Sequence, residues 1–162
     1  MANFLVVYFS ETGNTRYVAN RIADYADADL EELKELDPKS PFRVFKTILG
    51  MKTKVSKAYR DPNDYDIIFL GSPVWAMSLV PALRGYLSDN PLVSKKLALF
   101  CTMNSMGSDR VFRGMRGATK KCRILGELAV KEDELGFQAV VDDRIEEWVN
   151  SVRSRPQELI PL

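Results

Sequence analysis

A chain of 162 residues, 46% hydrophobic and 28% charged, carries enough apolar material for one compact domain with a real core. Its 23 basic and 22 acidic side chains leave a formal charge of +1, without the basic excess of a typical nucleic-acid binder. The absence of histidine excludes Ser-His-Asp and Cys-His catalysis and most zinc sites.

The first element is Asn3-Phe4-Leu5-Val6-Val7-Tyr8-Phe9, a near-continuous apolar run suited to a strand buried on both faces of a parallel sheet. Val18, Ala19, Ile22, Ala23 and Ala26 then share one face of a helix starting at Asn14. Leu30, Leu33 and Leu36 flank a short, Glu-rich second strand. Residues 42–60 break the alternation. They hold Arg43, Lys46, Lys52, Lys54, Lys57 and Arg60 and no acidic residue, interleaved with Phe42, Phe45, Ile48, Leu49, Val55 and Tyr59. The pattern predicts an amphipathic helical excursion that lays its apolar residues on the sheet and its bases in water.

Tyr65-Asp66-Ile67-Ile68-Phe69-Leu70-Gly71 repeats the buried-strand pattern. Leu79, Leu83, Tyr86 and Leu87 follow at helical spacing, with Pro81 in the first turn. Lys96-Leu97-Ala98-Leu99-Phe100-Cys101-Thr102 is a further strand, followed by a helix from about Asp109 to Lys121. A last strand runs from Arg123 to Val130. Val141, Ile145, Trp148, Val149 and Val152 line a final helix. Residues 1–153 are thus expected to form a single domain. The tail 154–162, with Pro156 and Pro161, is expected to leave that helix and be partly loose.

Alternating strands and helices predict an α/β fold: a three-layer, doubly wound, five-stranded parallel sheet in the order 2-1-3-4-5. Ligands of such sheets sit beyond the carboxyl ends of the strands, at the switch point. That rule singles out the segments after Phe9, Leu70 and Cys101.

The first of these, Ser10-Glu11-Thr12-Gly13-Asn14-Thr15, joins a buried strand to an amphipathic helix. Amides at a helix start lack intrahelical partners, and the helix dipole adds partial positive charge. A phosphate can collect those donors together with the hydroxyls of Ser10, Thr12 and Thr15, and Gly13 lets the backbone pass close. An ordinary helix cap is the bland alternative. Its place at the end of the first strand and its density of hydroxyl and amide groups favour the anion site. There is no G-x-x-x-x-G-K-[ST] and no G-x-G-x-x-G after the first strand. Neither cysteine has an arginine six residues on, which excludes a cysteine phosphatase loop. No acidic cluster ends the first strand, which argues against a receiver domain.

The stretch Val7-Tyr8-Phe9-Ser10-Glu11-Thr12-Gly13-Asn14-Thr15 resembles the phosphate-binding signature of the flavodoxin family, and the strand–helix order of nearly the whole chain extends the likeness. The resemblance implies FMN as cofactor, its phosphate held by this loop without lysine or arginine. Gly71-Ser72-Pro73-Val74-Trp75-Ala76 is similar to the family's second loop, which implies flavin-ring contacts from Pro73, Val74, Trp75 and Ala76. Thr102-Met103-Asn104-Ser105-Met106-Gly107-Ser108-Asp109 resembles the family's third loop, which implies a place along the pyrimidine side of the ring. Many flavodoxins place an aromatic there; here Met103 and Met106 are the available fillers.

The resemblance implies electron transfer through bound FMN to a redox partner protein. The +1 charge departs from the strongly acidic surface typical of flavodoxin carriers. A nicotinamide-dependent FMN or quinone oxidoreductase is therefore kept as the alternative, with a flavin-free binding module behind it. No residue is assigned a catalytic or metal-binding role. Cys101 and Cys122 are expected to be reduced thiols. With no run near the ~20 apolar residues that span a bilayer and no secretory signal, a cytoplasmic location without nucleic-acid or membrane partners is expected. The oligomeric state is left open.

Overall fold

The computed structural model describes residues 2–38 and 40–155. Five parallel strands form its centre: β1 (Phe4–Phe9), β2 (Asp29–Leu33), β3 (Ile67–Trp75), then, after the two-residue β4 (Ser78–Leu79), β5 (Lys96–Met103) and β6 (Arg123–Lys131). The order is β2-β1-β3-β5-β6, with β4 antiparallel to the end of β3. Counting only the parallel strands, this is the doubly wound order expected from the sequence. The expected tail lies mostly outside the described residues.

Strand geometry sends alternate side chains to opposite faces. Leu5, Val7 and Phe9 of β1 therefore enter one core with Leu83, Tyr86, Val111 and Met115. These come from α3 (Pro81–Asp89) and α4 (Ser108–Ala118). Val6 and Tyr8 enter the other with Val18, Ile22, Ile145 and Val149, from α1 (Asn14–Ala26) and α5 (Gln138–Ser154). Both faces of the sheet are covered, which is why β1 and β3 read as continuous apolar runs. Among the described residues no helix is long and apolar enough to cross a membrane. Cys101 and Cys122 are free thiols, and burial pushes Cys101 up to about 12, leaving it unreactive.

Residues 42–60 correct the sequence expectation. Only α2 (Arg43–Ile48) is helical, and the chain then continues mostly without regular structure to a bridge between Val55 and Glu35. Val55 packs against the core, but the apolar side chains of the helical part do not. Phe42, Val44, Phe45, Ile48 and Leu49 face solvent, whereas Thr47 is buried and Arg43 half-buried. The inward side is fixed by polar bonds: Thr47 Oγ1 donates to the Arg43 carbonyl, and Arg43 pairs with Glu35.

The segment is anchored on α3. The Thr53 amide donates to the Pro81 carbonyl at 3.1 Å. A Cβ on Gly85 would lie 2.0 Å from the Thr53 carbonyl oxygen. Gly85→Ala is therefore expected to cost about 1–3 kcal/mol, as overpacking does. Urea denaturation checks this, and an unchanged midpoint would contradict the close packing.

Candidate functional site

β1, β3 and β5 are adjacent and parallel, so their carboxyl ends meet at one edge. The first loop leaves β1 at Ser10. Gly13 is the N-cap of α1, at φ 101°, a conformation that favours glycine. It has no side chain with which to cap the helix. Ser10 does so instead, its Oγ accepting the Arg16 amide at 3.2 Å. The Asn14 and Thr15 amides occupy the first two helical positions, where no intrahelical partner exists. Thr12 is exposed and Asn14 half-exposed beside them.

Thr15 follows at the second helical position of α1. It is buried, and its hydroxyl bonds the buried Thr102 hydroxyl at 2.7 Å, tying the first loop to the end of β5. One hydroxyl proton closes that pair and the other remains to be donated. Neither basic residue near the loop is left free to hold an anion. Arg16 binds Glu32, and Arg43 binds Glu11 at 2.6 Å. The latter pair also neutralises the one carboxylate in the loop.

The second segment is a strand end, not a loop after a strand. β3 continues past Gly71 through Pro73, Val74 and Trp75, and turns back to β4 through Ala76 and Met77, both at positive φ. Proline is tolerated here because β1 pairs with β3 only as far as Gly71, while β5 pairs with it to Pro73. Trp75 is half-exposed. It meets Phe9 edge-on, with ring centroids 5.4 Å apart, and the Arg43 guanidinium lies 4.6 Å from its ring centroid. A planar ligand stacking on this indole must use the face opposite Arg43 or displace it.

The third segment follows β5. Thr102 is buried, Met103 and Gly107 are half-buried, and Asn104, Ser105 and Met106 are exposed. Gly107 caps α4 at φ 107°, and a Cβ there would lie 2.7 Å from Val74 Cγ1. The second and third segments are therefore in direct apposition.

Sequence reasoning missed a fourth wall. A cavity of about 540 Å³ is lined by Glu11, Val74, Trp75 and Ala76, and also by Ser40, Pro41, Arg43 and Val44. Arg43 is the hub: it pairs with Glu11 on the first loop, Trp75 on the second, and Glu35. The Glu35 carboxylate is almost fully buried, with Oε2 3.0 Å from Arg43 Nε, though without the alignment of a hydrogen bond. Burial raises the Glu35 pKa, and Arg43 opposes that rise. The basic run in the sequence was a signal for this segment, but nothing in it distinguishes Arg43 from its neighbours. No cluster of potential metal ligands occurs among the described residues.

The arrangement offers amide and hydroxyl donors at a helix start, an aromatic platform and a polar loop, all along one sheet edge. The same architecture is found in solved structures. A flavoprotein from Lactobacillus acidophilus NCFM, in complex with FMN, superposes with a TM-score of 0.70 at 20% identity, over 86% of this chain and 99% of that one. Oxidised flavodoxin 2 from Bacillus cereus gives 0.65 at 17% identity, over 96% of this chain and 100% of that one. The two-electron reduced flavodoxin of Megasphaera elsdenii gives 0.57 at 20% identity, over 93% and 99%. No curated protein sequence matches the chain. The sequence profile of the flavodoxin family matches residues 3–152, nearly the full length, and the chain belongs to that family.

Proposed function

We propose that this protein binds FMN at the carboxyl edge of β1, β3 and β5 and transfers electrons through it. The observation that carries the reading is the start of α1, where the Asn14 and Thr15 amides have no intrahelical partner and the polar side chains of Thr12 and Asn14 flank a glycine N-cap. The donor set fits a phosphate dianion: it consists of neutral hydrogen-bond donors and a helix dipole, and its nearest carboxylate is neutralised by Arg43. Trp75, Pro73, Val74 and Ala76 fit the apolar ring, and the exposed polar groups of Asn104 and Ser105 fit its hydrogen-bonding edge.

Bound FMN supplies one- and two-electron chemistry. The chain's own contribution is to hold the phosphate, orient the ring and set the charge around it. Thr12→Val and Asn14→Ala are each expected to weaken FMN binding by roughly tenfold, the worth of one good hydrogen bond to a charged group. Fluorescence titration measures this, and unchanged affinity in both variants would remove the phosphate assignment.

The alternative, a nicotinamide-dependent oxidoreductase, drew its support from the basic segment. The base of that segment nearest the loops, Arg43, is committed to Glu11, Glu35 and Trp75, so the carrier reading is preferred. Stopped-flow mixing with NADH and NADPH separates the two. Bleaching of the flavin within seconds would favour the reductase; no bleaching with either is expected of the carrier.

A further inference from the structure

The outward face of α2 is apolar. Phe42, Val44 and Ile48 are each 63% exposed, and Phe45, Leu49 and Met51 are exposed beside them. At about 150–200 Å² per side chain, these six residues show on the order of 600 Å² of largely apolar surface, the upper end for an ordinary monomer. The patch adjoins the cofactor segments. Val44 lines the cavity that Trp75 and Ala76 share. α2 also packs on β4, and the turn before β4 carries the exposed Met77, which Gly107 abuts.

The patch has a basic border. Lys52 and Lys54, which follow Met51 in the chain, have no carboxylate partner among the described residues, although Asp89 shares a cavity wall with both. Arg43 spends its charge inward on Glu11 and Glu35, and Lys46 also stands near Glu35. The outward positive charge next to the patch is thus carried by Lys52 and Lys54. An acidic partner would neutralise them.

We propose that this face docks an electron-transfer protein whose own contact surface is apolar at its centre and rimmed with carboxylates. The inference rests on the carrier reading. It reverses the charge relation expected of an acidic flavodoxin, and it places the partner beside Trp75 and the Ala76–Met77 turn.

The test is a binding titration of the FMN-loaded protein with two probes, an acidic plant-type ferredoxin and the basic mitochondrial cytochrome c. Ferredoxin is expected to bind, and to weaken about tenfold or more between about 20 and 300 mM salt. Lys52→Glu with Lys54→Glu, and separately Ile48→Ser, should each weaken ferredoxin about tenfold while leaving FMN affinity unchanged. All three positions are solvent-exposed, and none belongs to the loops assigned to FMN. Preference for cytochrome c, or binding of neither probe, would overturn the proposal. So would concentration-dependent dimerisation abolished by Ile48→Ser, or binding to anionic phosphatidylserine vesicles abolished by the same change, since another occupant would then cover the patch. Failure to load FMN at all would instead refute the reading beneath it.

Discussion

Arg43→Leu is expected to destabilise the protein by about 2–3 kcal/mol, a large effect for a residue on a short surface helix. Removing one partner of a buried ion pair leaves the other charge uncompensated, which typically costs about 3–5 kcal/mol, less here because Arg43 is still one-fifth exposed. Glu35 is the charge left behind, with its side chain 2% exposed. Chemical denaturation measures the loss, and Arg43→Leu combined with Glu35→Leu should recover most of it, since no buried charge then remains. The pH dependence has a definite sign. Burial already raises the Glu35 pKa, and removing Arg43 removes an opposing influence. A carboxyl whose folded pKa lies above its unfolded value is best tolerated below the unfolded value, and stability falls as pH rises through the folded one. The deficit of Arg43→Leu should therefore shrink in acid, towards the ordinary glutamate range, and grow towards neutral pH. A deficit independent of pH would show that Glu35 is not its cause.

The second large effect is expected at Gly107. Alanine there would meet Val74 Cγ1 at 2.7 Å and would also have to adopt φ 107°. Strain of this kind costs on the order of 1–3 kcal/mol. Relief requires the third segment to move away from the second, and those segments are assigned to the same ring. Gly107→Ala is expected to lower FMN affinity about tenfold or more. Gly117→Ala, where an added Cβ meets nothing within 4 Å, should leave it unchanged. Equal FMN affinity in the two variants would contradict the apposition of the two segments as a determinant of the site.

The sheet was legible in the sequence wherever burial on both faces wrote a continuous apolar run, as in Leu5-Val6-Val7 and Ile67-Ile68-Phe69-Leu70. The second strand was faint because it lies at the sheet edge, with Leu30 partly in water and Leu36 beyond its end. Pro73 hid the extension of β3 to Trp75, since proline usually marks a break and its tolerance here depends on which neighbours stop pairing. α2 shows a deeper limit. Periodicity tells which side chains share a face, not which face turns inward. At α2 the choice follows from a carboxylate at Glu35, before the helix begins, and an indole at Trp75, far from Arg43 in sequence. The mutual burial of Thr15 and Thr102, 87 positions apart, was hidden for the same reason. The strand–glycine–helix turn proposed to hold the phosphate was legible as a local structure: strand end, glycine, hydroxyls and helix start follow one another without interruption.

That loop also permits the most direct test of the central claim. The FMN-free protein can be titrated with FMN and with riboflavin, which has the same ring but no phosphate. One FMN per chain is expected to bind with quenched fluorescence, and riboflavin on the order of 100-fold more weakly, the worth of a dianion on several charge-assisted hydrogen bonds. Equal affinity for the two flavins, or binding of neither, would contradict the account.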